Sequence, residues 1–445
     1  MHATRFITTL ATLIALTACA ARPARHVEPP MTQDQRDLAV QSFDVMWTTI
    51  RDRHFDPKLN GVDWEAVRTE FRPLVEAATT HAETVALMNK AIHRLGQSHF
   101  GIISKDTYED VAGSAPGEKS RGAQGEVGLD TRVIDNELVV IRVDPGSPAD
   151  RAGIRPGWTI LEQDGRSIKE ALQRLDKQYA QNPKRDSLRS LAMRHAVTGT
   201  VGETMKLRVA DGKGRRRTIP LEIVPMSGDP VVFGHLPPMH LERDARRLDS
   251  GAGYMRFSVF FDPATLMPWF REHIAEYADA PGIIIDLRGN PGGIGGMAIG
   301  MGNMLVSEPN QKLGTLTTRE TTLNFVFTPQ AGRYTGPLAI LVDETSASTS
   351  EFMAGGLQAI GRARVFGLST AGMALPSLVI RLPSGDGLQY ATANYVSADG
   401  KALEGAGVQP DELIPHDKAS LLAGRDTMID AAEAWIRSKS NKKTD

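Results

Sequence analysis

One cysteine in 445 residues excludes a disulfide-stapled scaffold and any zinc site built from paired thiolates. Charge of either sign is also not in excess. Lys+Arg total 51 against 53 Asp+Glu, so there is no wholesale basic field to draw in nucleic acid. The basic run KGRRRTIP, around Arg215–Arg217, reads as a solvated hairpin tip beside a glycine. The histidines, His93, His235 and His240 among them, form no metal motif, and neither a metal nor another cofactor is expected. No internal repeat or low-complexity tract stands out. The apolar run Phe6–Ala18 is too short to span a bilayer comfortably. What remains is a chain long enough for two or three domains with a large buried core.

The chain opens MHATRFITTLATLIALTACAARPARHVEPP, with Arg5 as a positive flank and Phe6–Ala18 as an apolar segment. That is the pattern of an export signal, and TACA would serve as an ordinary small-residue cleavage site. Leu16-Thr17-Ala18-Cys19 also resembles the bacterial lipobox, which implies that Cys19, the chain's only cysteine, is acylated and becomes the new N-terminus. Residues 1–18 are then a lipoprotein signal peptide and 19–33 a proline-containing tether. Lipidation anchors without a spanning helix. By the same resemblance, Ala20 after the cysteine implies an exported protein on a bacterial outer membrane, facing the periplasm.

Residues 34–115 show apolar positions at helical spacing, as in FDVMWTTIRDRHF and WEAVRTEFRPLVEAA, and predict an N-terminal helical domain. A polar Gly/Ser connector follows. Residues 119–226 then alternate like short strands, with turns at Asp135-Asn136 and Asp164-Gly165. From about Gly251 strand and helix patterns alternate, which predicts an α/β core of parallel strands covered by helices over 227–440.

Two stretches of that core suggest chemistry. IIIDLRGNPGGIGG leaves an apolar strand through glycines whose N–H groups can meet an anion. A dinucleotide fingerprint fits it only loosely at Gly293-x-Gly295-x-x-Ala298; an oxyanion hole is the other functional reading, and a simple sharp turn the plain one. LVDETSASTSEF sets Ser346, Ser348 and Ser350 between a strand and a helix, where a nucleophile gains exposure and a helix N-terminus favours negative charge. Serine and threonine are also ordinary N-caps, so residue type alone does not choose.

Resemblance does. PGSPADRAGIRPGWTILEQDG is similar to PDZ domains of the bacterial protease type, and places Gly128 and Leu129 in the loop that there holds a peptide C-terminus. With IIIDLRGNPGG, ILVDETSASTSEFMAGGLQ and LEGAGVQPD following in order, nearly the whole mature chain resembles the C-terminal processing (tail-specific) peptidases and their tricorn-like relatives. The resemblance implies a ClpP/crotonase-like α/β core with an N-terminal helical segment and an inserted PDZ-like β domain. It implies Ser348 as nucleophile, with oxyanion donors at Thr349 and at Gly292 or Gly293. The processing branch places a base lysine about 25 residues after the serine, where this chain has Met373, and the next lysine is Lys401. LGQSHFGI instead resembles the tricorn-like branch, implying His99 as base with Ser98 and Glu404 as its orienting relay; Gln97 stands where many relatives carry Asp or Gly. The expected activity is a serine peptidase working through an acyl-enzyme on peptide or protein substrates. The alternative is a non-catalytic peptide- or ligand-binding lipoprotein on the same fold.

Overall fold

A computed structural model describes residues 29–105, 107, 124–180, 182 and 184–440; Cys19 and its surroundings lie outside them. No helix among the described residues is long and apolar enough to cross a membrane.

At the centre is a six-stranded sheet in the order Arg243–Arg247, Gly253–Phe257, Ile283–Asp286, Leu338–Val342, Arg364–Gly367, Glu412–Leu413. Only the first pair is antiparallel; the rest run parallel, as strand–helix alternation requires. The runs IIID and LAILV are buried throughout because both faces are covered. Ile283 and Ile285 pack with Leu266, Phe270 and Phe352 from helices on one side. Ile284 points the other way, into a cluster with Met428, Ala432 and Ile436 of the closing helix Thr427–Ser440.

Three helices, Gln33–Arg53, Trp64–Ala77 and His81–Ile92, build the N-terminal unit. Their apolar faces share one cluster with Leu375, Leu388 and Tyr390 from the far end of the chain. Strand Gly101–Ile103 seals this union by pairing antiparallel with Gly387–Ala391, Ile102 opposite Leu388. That pairing carries the Ser98-His99 turn to the catalytic half.

The inserted module is a five-strand path, Leu129–Ile134, Glu137–Val143, Thr159–Gln163, Thr204–Ala210 and Arg216–Glu222, with its own apolar core. Its hairpins turn at Asp135-Asn136 and at Asp164-Gly165, all four residues with positive φ. Two helices, Ile168–Gln178 and Arg185–Arg194, pack beside it. The module is bolted to the core: fully buried Arg132 bonds Asp343 at 2.8 Å and Asp130 at 2.6 Å. Arg194 donates to Gly289 O at 2.9 Å and Ser190 to Glu344 at 2.7 Å.

The hairpin Lys312–Thr318 with Thr322–Val326 has no counterpart in the sequence reading. Its outer strand, TLNFV, has no fully buried residue.

Candidate active site

The three serines after strand Leu338–Val342 have different fates. Ser346 Oγ donates to Leu287 O at 2.8 Å, and Ser350 Oγ donates to Asn290 O at 2.9 Å. Both hydroxyls hold the turn against the neighbouring glycine-rich loop. The Ser348 hydroxyl, half-buried, donates to no group among the described residues. Its backbone is at φ 55°, ψ −118°, outside the regions L-residues favour. Such strain costs on the order of 1–3 kcal/mol and persists only where the surroundings over-determine it. Here the Ser348 N–H is held by Met373 O at 2.9 Å and by Glu351 Oε2 at 2.9 Å. The result is a sharp strand-to-helix elbow at the head of helix Thr349–Ala359.

Glu351 organises the floor of this elbow. It also accepts from Thr370 Oγ1, Gly372 N at 2.8 Å and Met373 N at 3.0 Å. Burial pushes its carboxyl up to about 7, while those donors and the Ser348 N–H pull it back toward the ionised form. Its place three residues after Ser348 is the spacing of a capping box, a signal that marks it as more than a helix former.

The glycine loop leans on the elbow from the other side. Asn290 spans it, donating to Phe257 O at 2.9 Å and accepting the Gly292 N–H at 2.8 Å. Gly292 has φ +97°, and a methyl group there would meet Thr349 N at 2.7 Å and Ala347 O at 2.8 Å. Of the two candidate glycines, Gly292 therefore has its N–H committed to Asn290. Gly293 N–H and Thr349 N–H donate to no group among the described residues.

Ser98, His99 and Glu404 are joined directly. Ser98 Oγ donates to Glu404 Oε2 at 2.8 Å and stands 2.8 Å from His99 Nδ1. Ser98 N–H donates to Glu404 Oε1 at 2.8 Å, and Ala374 N–H to Oε2 at 2.9 Å. A hydroxyl has one proton. With Glu404 ionised that proton goes to the carboxylate, so Nδ1 must be the imidazole N–H and Nε2 keeps its lone pair. Burial pulls His99 down to about 4, so the ring is neutral at neutral pH. Burial holds Glu404 above its ordinary range, opposed by the Ala374 and Ser98 donors and by Lys184.

No hydrogen bond joins Ser348 Oγ to His99 among the described residues. The two halves meet instead through residues 373 and 374: Met373 O accepts from Ser348, and Ala374 N–H reaches the acceptor of Ser98. Gln97 bonds His54 at 2.8 Å. Met373 itself is buried, in an apolar cluster with Tyr179, Leu188, Ala347 and Ala371. Lys401 is exposed and paired with Asp399 at 2.7 Å. Gly128 and Leu129 are buried at the start of the module's first strand, and the Gly128 carbonyl accepts from Asp144 N at 3.1 Å. Gly128 lines a cavity of about 190 Å³ with Glu126, Ser147 and Arg151.

Comparison with known proteins gives three successive family matches: the tricorn protease C1 domain over residues 39–93, the PDZ domain over 111–192, and peptidase family S41 over 251–414. The chloroplastic carboxyl-terminal-processing peptidase 3 of Arabidopsis thaliana is 27% identical over 396 residues, 86% of this chain and 70% of that one. The photosystem II D1 C-terminal processing protease superposes with a TM-score of 0.55 at 21% identity, over 91% of this chain and 97% of that one. Mature CPAF gives 0.62 at 14% identity, over 92% and 99%. Both structures share the fold. Helical segment, PDZ insertion and α/β core therefore follow one another as a tricorn C1 domain, a PDZ domain and a peptidase family S41 domain; the chain is similar over most of its length to the carboxyl-terminal-processing peptidases and is a serine-type peptidase.

Proposed function

We propose that this peptidase cleaves peptide bonds through an acyl-enzyme, with Ser348 as nucleophile and His99 as general base. The carrying observation is the hydrogen-bond chain Glu404–Ser98–His99, which leaves Nε2 as the free base position, and its link through residues 373 and 374 to the strained elbow at Ser348. As substrate enters, the imidazole closes on Ser348 Oγ and takes its proton while Oγ attacks the scissile carbonyl. Gly293 N–H and Thr349 N–H receive the developing oxyanion, at the positive end of helix Thr349–Ala359. The imidazolium is stabilised through Ser98 by the Glu404 carboxylate, and returns its proton to the leaving amine. Water, deprotonated by the same ring, then releases the acyl group.

The test is covalent labelling of purified protein with a fluorophosphonate probe. Ser348→Ala abolishes labelling, and His99→Ala slows it by about 10²–10⁴-fold. Equal labelling of wild type and Ser348→Ala would refute the assignment. The relatives' names favour trimming of carboxyl-terminal tails, with the Gly128–Leu129 loop of the PDZ module as the place for a peptide end. Cys19 is proposed as the lipidation site that keeps the enzyme at the outer membrane, facing the periplasm. Cys19→Ala should release it from washed membranes into the soluble fraction.

A further inference from the structure

The segment that replaces the family's lysine is not far from a lysine. Lys184 lies in the inserted module, just ahead of helix Arg185–Arg194, its N–H tied to Asn182 Oδ1 at 2.8 Å. Its side chain runs over Gly372, so that any side chain at 372 would collide with Nζ. Gly372 is one residue from Met373 and two from Ala374, whose N–H groups serve Glu351 and Glu404. Gly372 O also accepts from Gly405 N at 2.9 Å, which binds this segment to the loop carrying Glu404. The flank of the contact is apolar: Tyr179 and Leu188 on the module meet Ala371 and Met373 on the core. The Lys184 ammonium forms no hydrogen bond or ion pair among the described residues, so its charge is not consumed by a local partner.

We propose that Lys184 is a positioning residue of this active site: a cation supplied by the inserted module that holds Glu404 as a carboxylate and so fixes the tautomer of His99. The inference rests on the relay reading above. If Glu404 gains a proton, it donates to Ser98 Oγ, which must then donate to Nδ1. That reversal places the imidazole proton on Nε2, where a base needs a lone pair. The relay therefore works in one direction only while Glu404 is charged. Burial works against that charge. The groups that face Glu404 are Ser98 N–H and Oγ–H, Ala374 N–H, the Glu351 carboxyl and Lys184. Of these, Glu351 raises the cost of ionising Glu404 and Lys184 lowers it. Burial lowers the Lys184 ammonium from its ordinary value, and the same two carboxyls, Glu351 and Glu404, raise it again. The cation thus lies over Gly372, outside ion-pair distance of both acids of the other domain but within reach of their charge, and Met373 is free to serve the apolar contact alone.

Two readouts on the full chain test this. The first is carboxyl-carbon NMR of ¹³C-Glu-labelled protein, with the Glu404 signal identified by its loss in Glu404→Gln. Lys184→Met should move the Glu404 titration midpoint up by about one pH unit, the scale of losing one nearby opposite charge. Lys184→Arg should keep it near the wild-type value, and Lys184→Gln repeats the neutral test should methionine disturb packing. The second readout is the pH dependence of fluorophosphonate labelling. Its acid limb should move upward with the Glu404 midpoint in Lys184→Met and recover in Lys184→Arg. An unchanged Glu404 midpoint in both neutral variants overturns the role of Lys184, whatever the activity. A shifted midpoint in a protein whose wild type never labels would sink the peptidase mechanism and leave the Lys184–Glu404 coupling standing. Labelling lost in Lys184→Arg with an unmoved midpoint would make the amine itself the base and also overturn the positioning role.

Discussion

Glu404→Gln isolates the relay because it keeps shape and removes charge. The carboxylate accepts three hydrogen bonds, from Ser98 N, Ser98 Oγ and Ala374 N. An amide has one oxygen, and its NH₂ can only donate. With the oxygen toward Ala374, the NH₂ confronts the Ser98 N–H. With the oxygen toward Ser98 N, the NH₂ confronts the Ala374 N–H and donates to Ser98 Oγ. Either rotamer strands one partly buried backbone donor, a cost of about 1–3 kcal/mol in stability. Only the second reverses the relay and places the His99 proton on Nε2. In a serine protease triad, the corresponding carboxylate-to-amide change costs about 10⁴-fold through the wrong tautomer. A reduction of roughly 10²–10⁴ in the labelling rate is expected here, since the first rotamer preserves the working direction. The assay is the rate of fluorophosphonate labelling at pH 7–8, with urea melts in parallel. Ser98→Ala is the companion variant: it cuts the relay but leaves both backbone donors paired, so it should lose rate with little loss of stability. If Glu404→Gln labels as fast as wild type while Ser348→Ala does not label, the relay has no part in activating the nucleophile.

Gly292→Ala should abolish labelling without removing any reacting atom, because a methyl at φ +97° drives into the Ser348–Thr349 backbone; labelling at the wild-type rate would show the elbow can yield. Arg132→Met leaves Asp343 buried without its cation and should cost about 3–5 kcal/mol, read as a lower urea midpoint and faster proteolysis between module and core. Met373→Lys in a His99→Ala background should not restore labelling, since the side chain enters an apolar cluster, and a gain in rate would refute that. Between about pH 4.5 and 6.5 two sets of buried groups pull stability in opposite directions. His99 and His416, lowered to about 4 by burial, contribute stability that is full above about pH 6.5 and is lost as pH falls toward 4. Glu344 and Glu351, raised to about 7 by burial, contribute in the opposite sense: their stability is full below about pH 4.5 and is lost as pH rises toward and through 7. His99→Gln removes one member of the first set, so this variant should become more stable at pH 5 relative to pH 7 in urea melts; an unchanged ratio contradicts the burial of the ring.

Apolar patterning reveals the parts of this molecule that are decided locally. The runs IIID and LAILV are buried strands because nothing but two covered faces suits them, and the Asp135-Asn136 turn follows from residues that tolerate positive φ. The site is decided at long range, and its legibility falls accordingly. Ser98 and Glu404 are 306 residues apart, and no periodicity links them; only resemblance to known motifs put them together. Ser346, Ser348 and Ser350 are the same residue at equal spacing, and they separate only by where each hydroxyl points and by one strained backbone angle. Gly292 and Gly293 differ by whether the Asn290 side chain claims the N–H, a fact of the folded loop.

Lys184 reads in sequence as one charge among several in NPKRD, a stretch that patterning assigns to a solvated surface. Its significance appears only when the module is seated on the core, because the groups it faces belong to another domain. The same seating accounts for Met373. A side chain that must fill the apolar contact with Tyr179 and Leu188 cannot also be a solvated base, whereas its backbone N–H and C=O still have to grip Glu351 and Ser348. Backbone work at position 373 is independent of side-chain type, so a methionine there leaves the elbow intact. On the mechanism proposed above the proton acceptor comes from a different part of the chain, the imidazole of His99, which Ser98 and Glu404 back through their hydrogen bonds.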